Sequence, residues 1–412
     1  VSASGPVEVE GIKVGETWLP ADAEALAEAV RSLGARGLAA FVRGAGTELP
    51  QGNLPRRADV LLSTQALAGI EELDADEGVA RVRAGTPVSE LREAAHREGL
   101  DVPLDPPARA STVGGALAAA ALGPRCLGYG RARDAVLGLD VVLGSGERTR
   151  CGGRVVKNVT GYDLAKLYVG SLGTLAVITH AWLRLRPLPE EVRVLAAPFP
   201  AKPASIEAAL ECARLPGVRA AALVGAALAG ELGDSLPNAE RGGSLLVIEL
   251  ASDAPVVSQT AELLASHHGA VGVASETIAA VAALEGAAEE PRFTASLRVR
   301  VSARPSRLAA AHAALCAGTA AVVVHPGLGL LQARFALEPG DGAARIDAAL
   351  ATLREAARAG EGSAVVAAAP VSVREGRDVF GGAAPTFTLM QRLKAELDPR
   401  GVLNPGRFVV GI

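Results

Sequence analysis

The stretch Phe41-Val-Arg-Gly-Ala-Gly-Thr-Glu-Leu-Pro50 sets two glycines and a threonine directly behind an apolar run. It can open a nucleotide-binding helix, cradle a phosphate as a loop, or simply turn a corner. The first option needs a third glycine three residues after the second, a helix beginning there, and an acidic residue about 20 residues on. Here that position is Leu49, and Pro50-Gln-Gly-Asn-Leu-Pro55 cannot begin a helix. What remains is a glycine loop between strands. In such a loop the amides around Gly44–Thr47 can form an anion nest, and the missing Cβ atoms let a pyrophosphate come close. Taken alone, a G-x-G turn is more often structural than functional.

The flanking segments supply the strands. Residues 20–34 read as a helix, with Asp22 as cap, Leu26, Val30 and Leu33 on one face, and Gly34 as stop. A buried strand at 38–42 leads into the loop, and strands follow at 59–63, 70–73 and 79–84. Thr86 reads as an N-cap with Pro87 at the first helical position, and Gly99 ends that helix. Further on come a hairpin (137–143 and 147–151), a helix near 162–169, a strand at 176–185, and a Pro/Glu-rich linker ending at Glu191. Beyond it, helices (about 203–214, 255–268, 306–317, 343–359) alternate with strands (about 244–250, 295–302, 320–325, 331–337, 363–368). Within Ser296–Ser302, Leu297, Val299 and Val301 face one way and Arg298 and Arg300 the other, the period of a half-buried strand.

Composition excludes several classes of function. The net charge is −4 and no basic face is interleaved with aromatics, which argues against nucleic-acid binding. Cys126, Cys151, Cys212 and Cys316 lie far apart, and the six histidines show no metal-binding spacing, so no metal site or cluster is expected. The N-terminus lacks a signal-peptide pattern, and no apolar run reaches the ~18–20 residues that span a bilayer. The expected location is the cytoplasm, with attachment to the inner face of a membrane only through partners.

Three further segments raise the odds of a ligand. Ser111 and Thr112, with Gly114 and Gly115, place hydroxyls and small residues at a helix start, where amides and the helix dipole favour phosphate. Leu122–Arg131 is a second glycine-bearing loop with cations. Gly170-Ser-Leu-Gly-Thr-Leu-Ala-Val-Ile-Thr179 offers backbone groups at a strand entry, suited to the edge of a flat ring. Their order and spacing fit one extended ligand, with phosphates at one end and a heterocycle at the other.

These motifs, with Thr160-Gly-Tyr-Asp-Leu-Ala-Lys-Leu167 and Asp398-Pro-Arg-Gly-Val-Leu-Asn-Pro-Gly-Arg407, resemble the PCMH-type FAD-binding domain of the vanillyl-alcohol-oxidase superfamily. Gly153–Leu164 and Asp378-Val-Phe-Gly381 are most similar to the FAD-binding subunit of glycolate oxidase. The resemblance implies an α+β protein. A PCMH-type FAD-binding domain of two α+β subdomains (15–190) would precede an α+β cap domain with a mixed or antiparallel sheet (191–375). A C-terminal segment (376–412) would pack back on the FAD domain. It further implies noncovalent FAD, with the pyrophosphate on Arg43, Gly44, Ala45, Gly46, Thr47, Glu48 and Leu49. Asp105, Ser111, Thr112, Gly114 and Gly115 would line the ADP–ribityl portion, and Gly173, Thr174 and Val177 would contact the rings. Tyr162 and Asp163 serve equally well as helix-packing residues.

Oxidation of a 2-hydroxy acid also needs a carboxylate clamp and a base, usually Arg and His. The histidine motifs of the family's large catalytic subunit are missing here. The nearest remnant is His325, in Val324-His-Pro-Gly-Leu-Gly329, carried as a candidate base against the plain reading of a strand-end histidine. Arg298, Arg300, Arg334 and Arg374 could reach the flavin, but surface strand arginines are commoner, so none of them is ranked as catalytic. The leading expectation is therefore the FAD-binding subunit of a multi-subunit glycolate oxidase, turning glycolate to glyoxylate. A catalytic FAD subunit and an iron–sulfur subunit would be its partners. The alternatives are a self-sufficient FAD-dependent 2-hydroxy acid dehydrogenase and a non-catalytic scaffold.

Overall fold

Asp22 starts the first helix, Ala23–Arg36, by accepting the Ala25 amide at 2.8 Å. Leu26, Val30 and Leu33 are fully buried along its inner stripe. The helix runs past the expected stop: Gly34 stays helical, and Gly37, at φ +63°, takes the left-handed cap. The structure, a computed structural model, describes residues 2–4, 6–154, 163–200, 202–232, 236, 243–285, 296–318, 320–337, 343–382 and 385–412. Most of the Gly153–Leu164 motif, Tyr162 included, lies outside them.

The first helix joins the strands Glu16–Leu19 and Ala40–Arg43, which lie parallel on either side of Val60–Ser63 in a four-stranded sheet. A five-stranded antiparallel sheet follows, in the order Arg148–Gly152, Val136–Leu143, Ala176–Arg184, Val79–Arg83, Ile70–Asp74. Val142 and Val177 of this sheet share one core with the first helix, which locks the two sheets together. The expected cap at Thr86 is not made. Helix Val88–Arg97 begins at Pro87 without a side-chain cap, and the Thr86 hydroxyl instead accepts the Gly69 amide at 2.9 Å, holding a turn.

The largest sheet has eight strands, all paired antiparallel: Val271–Gly272, Glu191–Phe199, Ser244–Ser252, Val218–Val224, Ala321–His325, Leu330–Ala336, Ser296–Ser302, Ser363–Ala368. The architecture is α+β. Three of these strands escaped the sequence reading, the two-residue Val271–Gly272 among them. Glu191–Phe199 starts directly at the supposed linker, and Val218–Val224 is dominated by alanine, which does not distinguish strand from helix by itself. Helices Pro203–Cys212, Ala254–His268, Leu308–Ala317 and Ala343–Ala359 bury one face through Leu297, Val299, Val301, Val322, Val324 and Leu331.

Period-two geometry sends the alternate residues to the opposite face. Register places Arg298 beside Arg334 and Arg300 beside Gln332, with His325 on the adjoining strand. That face is covered, not solvated: Arg298 is 5% exposed and His325 2%. The reading of Arg298 as a surface strand arginine is thereby corrected, and so is that of Arg374, which is buried in the short helix Val371–Arg374.

A buried ionic network ties the five-stranded region to the large sheet. Glu249, on Ser244–Ser252, accepts Arg125 at 2.8–3.2 Å and Arg219 at 2.6 Å. Asp101 accepts the Tyr129 hydroxyl at 2.5 Å and lies 3.4 Å from Arg219. Burial alone would raise the Glu249 pKa, but the hydrogen bonds from Arg125 and Arg219 outweigh it and hold the carboxyl below its ordinary value. The stability contributed by this charge is thus complete above the unfolded pKa of 4.5 and lost as pH falls through the folded value. Arg125→Met should remove about 3 kcal/mol at neutral pH by leaving Glu249 underpaired. The deficit against wild type should shrink below pH 4.5, as denaturant melts at stepped pH would reveal.

Candidate functional site

The glycine loop forms one wall of a cleft with about 700 Å³ of empty space, partly open to solvent. Every residue from Arg43 to Leu49 lines it, opposite Thr112, Gly114 and Gly115, with Gly173 and Val177 at a third side. No amide from Ala45 to Glu48 donates to any described residue. Gly46, at φ +89°, turns the loop so that these donors follow one another. The Arg43 Nε is buried and unpaired among the described residues. The chemistry on offer is a run of backbone donors and a cation, which suits an anion.

The second wall works differently from the sequence reading. Val113, Gly114 and Gly115 donate to Thr86 O, Ala84 O and Thr112 Oγ1, so these helix-start amides are already engaged. The helix Val113–Ala118 spans only six residues. Its small residues serve close approach instead. A Cβ on Gly44 would lie 2.4 Å from Thr112 Oγ1, and one on Gly114 2.6 Å from Ala84 Cβ. Ser111 is buried behind the loop and shares a 2.9 Å hydrogen bond with Thr47, so it supports the cleft without lining it.

Two expected residues lie elsewhere. Asp105 accepts the Arg125 amide at 2.8 Å in the ionic network, where burial pushes its pKa up against the pull of Arg125. Its short side chain is consumed by that turn, so it does not reach the cleft with the others. Thr174 is fully buried and turned away, its hydroxyl donating to Ser171 O at 2.8 Å.

Two residues of the C-terminal segment enter the site. Asn404 accepts the Val42 amide and donates to Leu172 O, each at 2.8 Å, bridging the glycine-loop strand to the Gly173 turn. Arg407 donates to Leu49 O at 3.0 Å and Gln51 O at 2.7 Å while its guanidinium lies over Phe41. The strand-like bridge between Ala40 and Leu403 holds both in place. The sequence signal was the Asn-Pro-Gly-Arg turn itself, read only as part of a closing motif.

Arg298 and Arg300, on the polar face of the large sheet, act on the charge of Glu48 but do not line the cleft. Burial pushes the Glu48 pKa up to about 7 in spite of the pull from Arg300 and Arg298. Its Oε1 is buried and accepts no hydrogen bond from a described residue. Burial lowers the Arg298 pKa to about 10, with Arg334 adding to the shift, so the guanidinium stays charged at neutral pH. His325 Nε2 is hydrogen-bonded to Glu285, which also accepts Gln332 at 2.7 Å. Burial would lower the imidazole pKa, yet the Glu285 charge outweighs it and keeps the ring above its usual value. Among the described residues, no group of three or more His, Cys, Asp or Glu is arranged to hold a metal ion.

Residues 17–152 match the family model "FAD binding domain", and residues 383–408 match "FAD linked oxidases, C-terminal domain". The chain carries a PCMH-type FAD-binding domain. The C-terminal match contains Asn404 and Arg407, which line the cleft from the far end of the chain. The chain is 40% identical over 195 residues to a D-lactate dehydrogenase of Archaeoglobus fulgidus, covering 47% of this chain and 44% of that protein. It is 39% identical over 130 residues to glycolate oxidase subunit GlcE of Escherichia coli, covering 31% and 37% respectively. The matched segments thus span less than half of either relative. An alkyldihydroxyacetonephosphate synthase structure has the same fold, with a TM-score of 0.68 at 15% identity over 95% of this chain and 77% of that one. The cofactor is FAD. The free amides and the glycine-lined approach of the FAD-binding domain fit its pyrophosphate. No histidine, cysteine or tyrosine is among the described residues that line the cleft. Among the described residues, no helix is long and apolar enough to cross a membrane.

Proposed function

We propose that this protein oxidises a small 2-hydroxy acid with noncovalently held FAD, as the flavin subunit of a glycolate-oxidase-like assembly. One observation carries the reading: along one wall of the FAD-domain cleft the amides of residues 45–48 donate to no described residue, beside the buried Arg43 Nε. Amides of residues 45–48 would hold the pyrophosphate, with Arg43 beside them. Thr112, Gly114 and Gly115 would flank the middle of the cofactor, and Gly173 and Val177 its ring. When bound, FAD supplies a two-electron hydride acceptor. The residues of this chain do the rest. Arg298 and Arg300 attract and orient the substrate carboxylate, and the covering sheet keeps water from the reacting carbon.

The likeness to GlcE supports the subunit role, with a second flavin subunit and an iron–sulfur protein taking the electrons. The arginine face favours a second reading, in which the lone chain is itself a dehydrogenase. Purified alone, with full FAD, it should be reduced slowly or not at all by glycolate and D-lactate under the first reading, and within seconds under the second. Co-purified partners should restore fast reduction under the first. A yellow protein that no 2-hydroxy acid reduces, alone or in its native assembly, would falsify both. Arg300→Leu should leave FAD content intact and raise KM for the acid about 10–100-fold, the value of a charged hydrogen bond. Steady-state kinetics with flavin quantitation checks this.

A further inference from the structure

We infer that a cavity between the FAD-binding domain and the large sheet is a binding site for a small dicarboxylate, separate from the FAD cleft. It holds about 810 Å³ of empty space, partly open to solvent, and shares no described lining residue with the cleft. The two adjoin, since Ala119 lines the cleft and the next residue, Ala120, lines the cavity. Four cations line it: Arg131, Arg133 and Lys166 from the FAD-binding domain, and Arg300 from the sheet. No carboxylate is among the described residues that line it.

These charges do not cancel within the protein. Lys166 pairs with Asp163 at 2.7 Å, and Arg133 lies 3.8 Å from Asp134. Arg131 and Arg300 form no ion pair with any described residue. Two like charges, one on each wall, are thus left for a ligand to neutralise, and a dianion does so. Burial lowers the Arg300 pKa against the pull of Glu48, and the Arg131 charge adds to the lowering. Glu48, its own pKa pushed up to about 7, is only partly ionised at neutral pH and leaves Arg300 short of a counter-charge.

The surfaces between the two arginines are apolar, made by Leu122, Val169, Leu330 and Val365. A ligand with a carboxylate at each end and hydrocarbon between them matches that division. A phosphate would gather both charges at one centre. The guanidinium fork suits a carboxylate at either end. On the sheet side, Ser302 shares a strand face with Arg300 and stands directly opposite Ser363. Both hydroxyls belong to the cavity and hydrogen-bond no described residue, so they can donate to the carboxylate held there. Because Arg300 also draws the hydroxy acid in the reading above, the two ligands compete for it.

The test is isothermal titration of the FAD-loaded full chain with succinate, with butyrate as the one-charge analogue of equal length, and with inorganic phosphate. Succinate should bind with a Kd of about 1 mM or tighter. It should exceed butyrate by about 10–100-fold, the value of one charged hydrogen bond. Arg131→Gln and Arg300→Gln should each weaken succinate by about 10-fold or more and shrink its preference over butyrate. A merely structural loss would weaken both acids alike. Arg131 is exposed, so Arg131→Gln keeps the test open should Arg300→Gln fail to fold. The assignment is overturned if succinate binds no tighter than butyrate, if phosphate binds tighter than succinate, or if Arg131→Gln leaves the preference unchanged. None of these titrations needs turnover. A protein whose flavin no hydroxy acid reduces can still carry this site, and loss of the site leaves the oxidoreductase reading standing.

Discussion

Gly46→Glu should purify colourless. Gly46 sits at φ +89°, where a side chain is strained by about 1–3 kcal/mol, although the added Cβ would meet only the flexible ends of Arg43 and Leu49 at 3.4 Å. The larger effect is electrostatic. A carboxylate about 5 Å from a diphosphate, at an effective dielectric of about 20, costs on the order of 3 kcal/mol. Together these weaken FAD at least ~10³-fold at about 1.4 kcal/mol per decade. Gly46→Ala isolates the strain and should lose only about 10–100-fold. Fluorescence titration of apoprotein with FAD separates the two, and circular dichroism checks that the fold persists. Should Gly46→Glu stay yellow, the pyrophosphate does not rest on these amides.

The second large effect is expected at Asn404→Ala. Its side chain satisfies the Val42 amide and the Leu172 carbonyl at once, deep in the protein. Each group left unsatisfied costs about 1–3 kcal/mol. Asn404 also holds φ +43°, a conformation asparagine tolerates better than alanine. The sum, about 3–6 kcal/mol, should lower the melting temperature by roughly 6–20 °C. FAD should bind more weakly as well, because the strand end and the Gly173 turn are both walls of the cleft. Asn404→Asp keeps the acceptor for Val42 but sets a carboxylate oxygen against the Leu172 carbonyl, so its loss should be comparable in sign and smaller at acid pH. Differential scanning calorimetry with and without FAD measures both terms. A melting point within 2 °C of wild type for Asn404→Ala would mean that this bridge does not hold the cleft.

Local rules carried the sequence reading far. Most helices and strands were legible because capping residues, glycine stops and period-two alternation act within a few residues. The failure of the dinucleotide-helix reading at Leu49-Pro50 was equally local. The same rules misplaced features that several rules could explain. Gly34 was read as a stop because glycine can end a helix, but the left-handed turn falls at Gly37. Thr86 was read as a cap because threonine can cap, but its hydroxyl holds Gly69 across a turn.

The sequence by itself determined the glycine loop, the order of the small-residue bends around it, and the alternation that gives Ser296–Ser302 two unlike faces. Only tertiary structure decided which groups are still free to act. It spent the amides at Val113–Gly115 on Thr86, Ala84 and Thr112, and left those at 45–48 open. It drew Asp105 into an ionic network, brought Asn404 and Arg407 from the far end of the chain to the cleft, and buried Arg298 on the covered face of the large sheet. The reason is physical: a residue's type fixes what it can donate or accept, but its partner, its burial and hence its charge depend on neighbours hundreds of residues away.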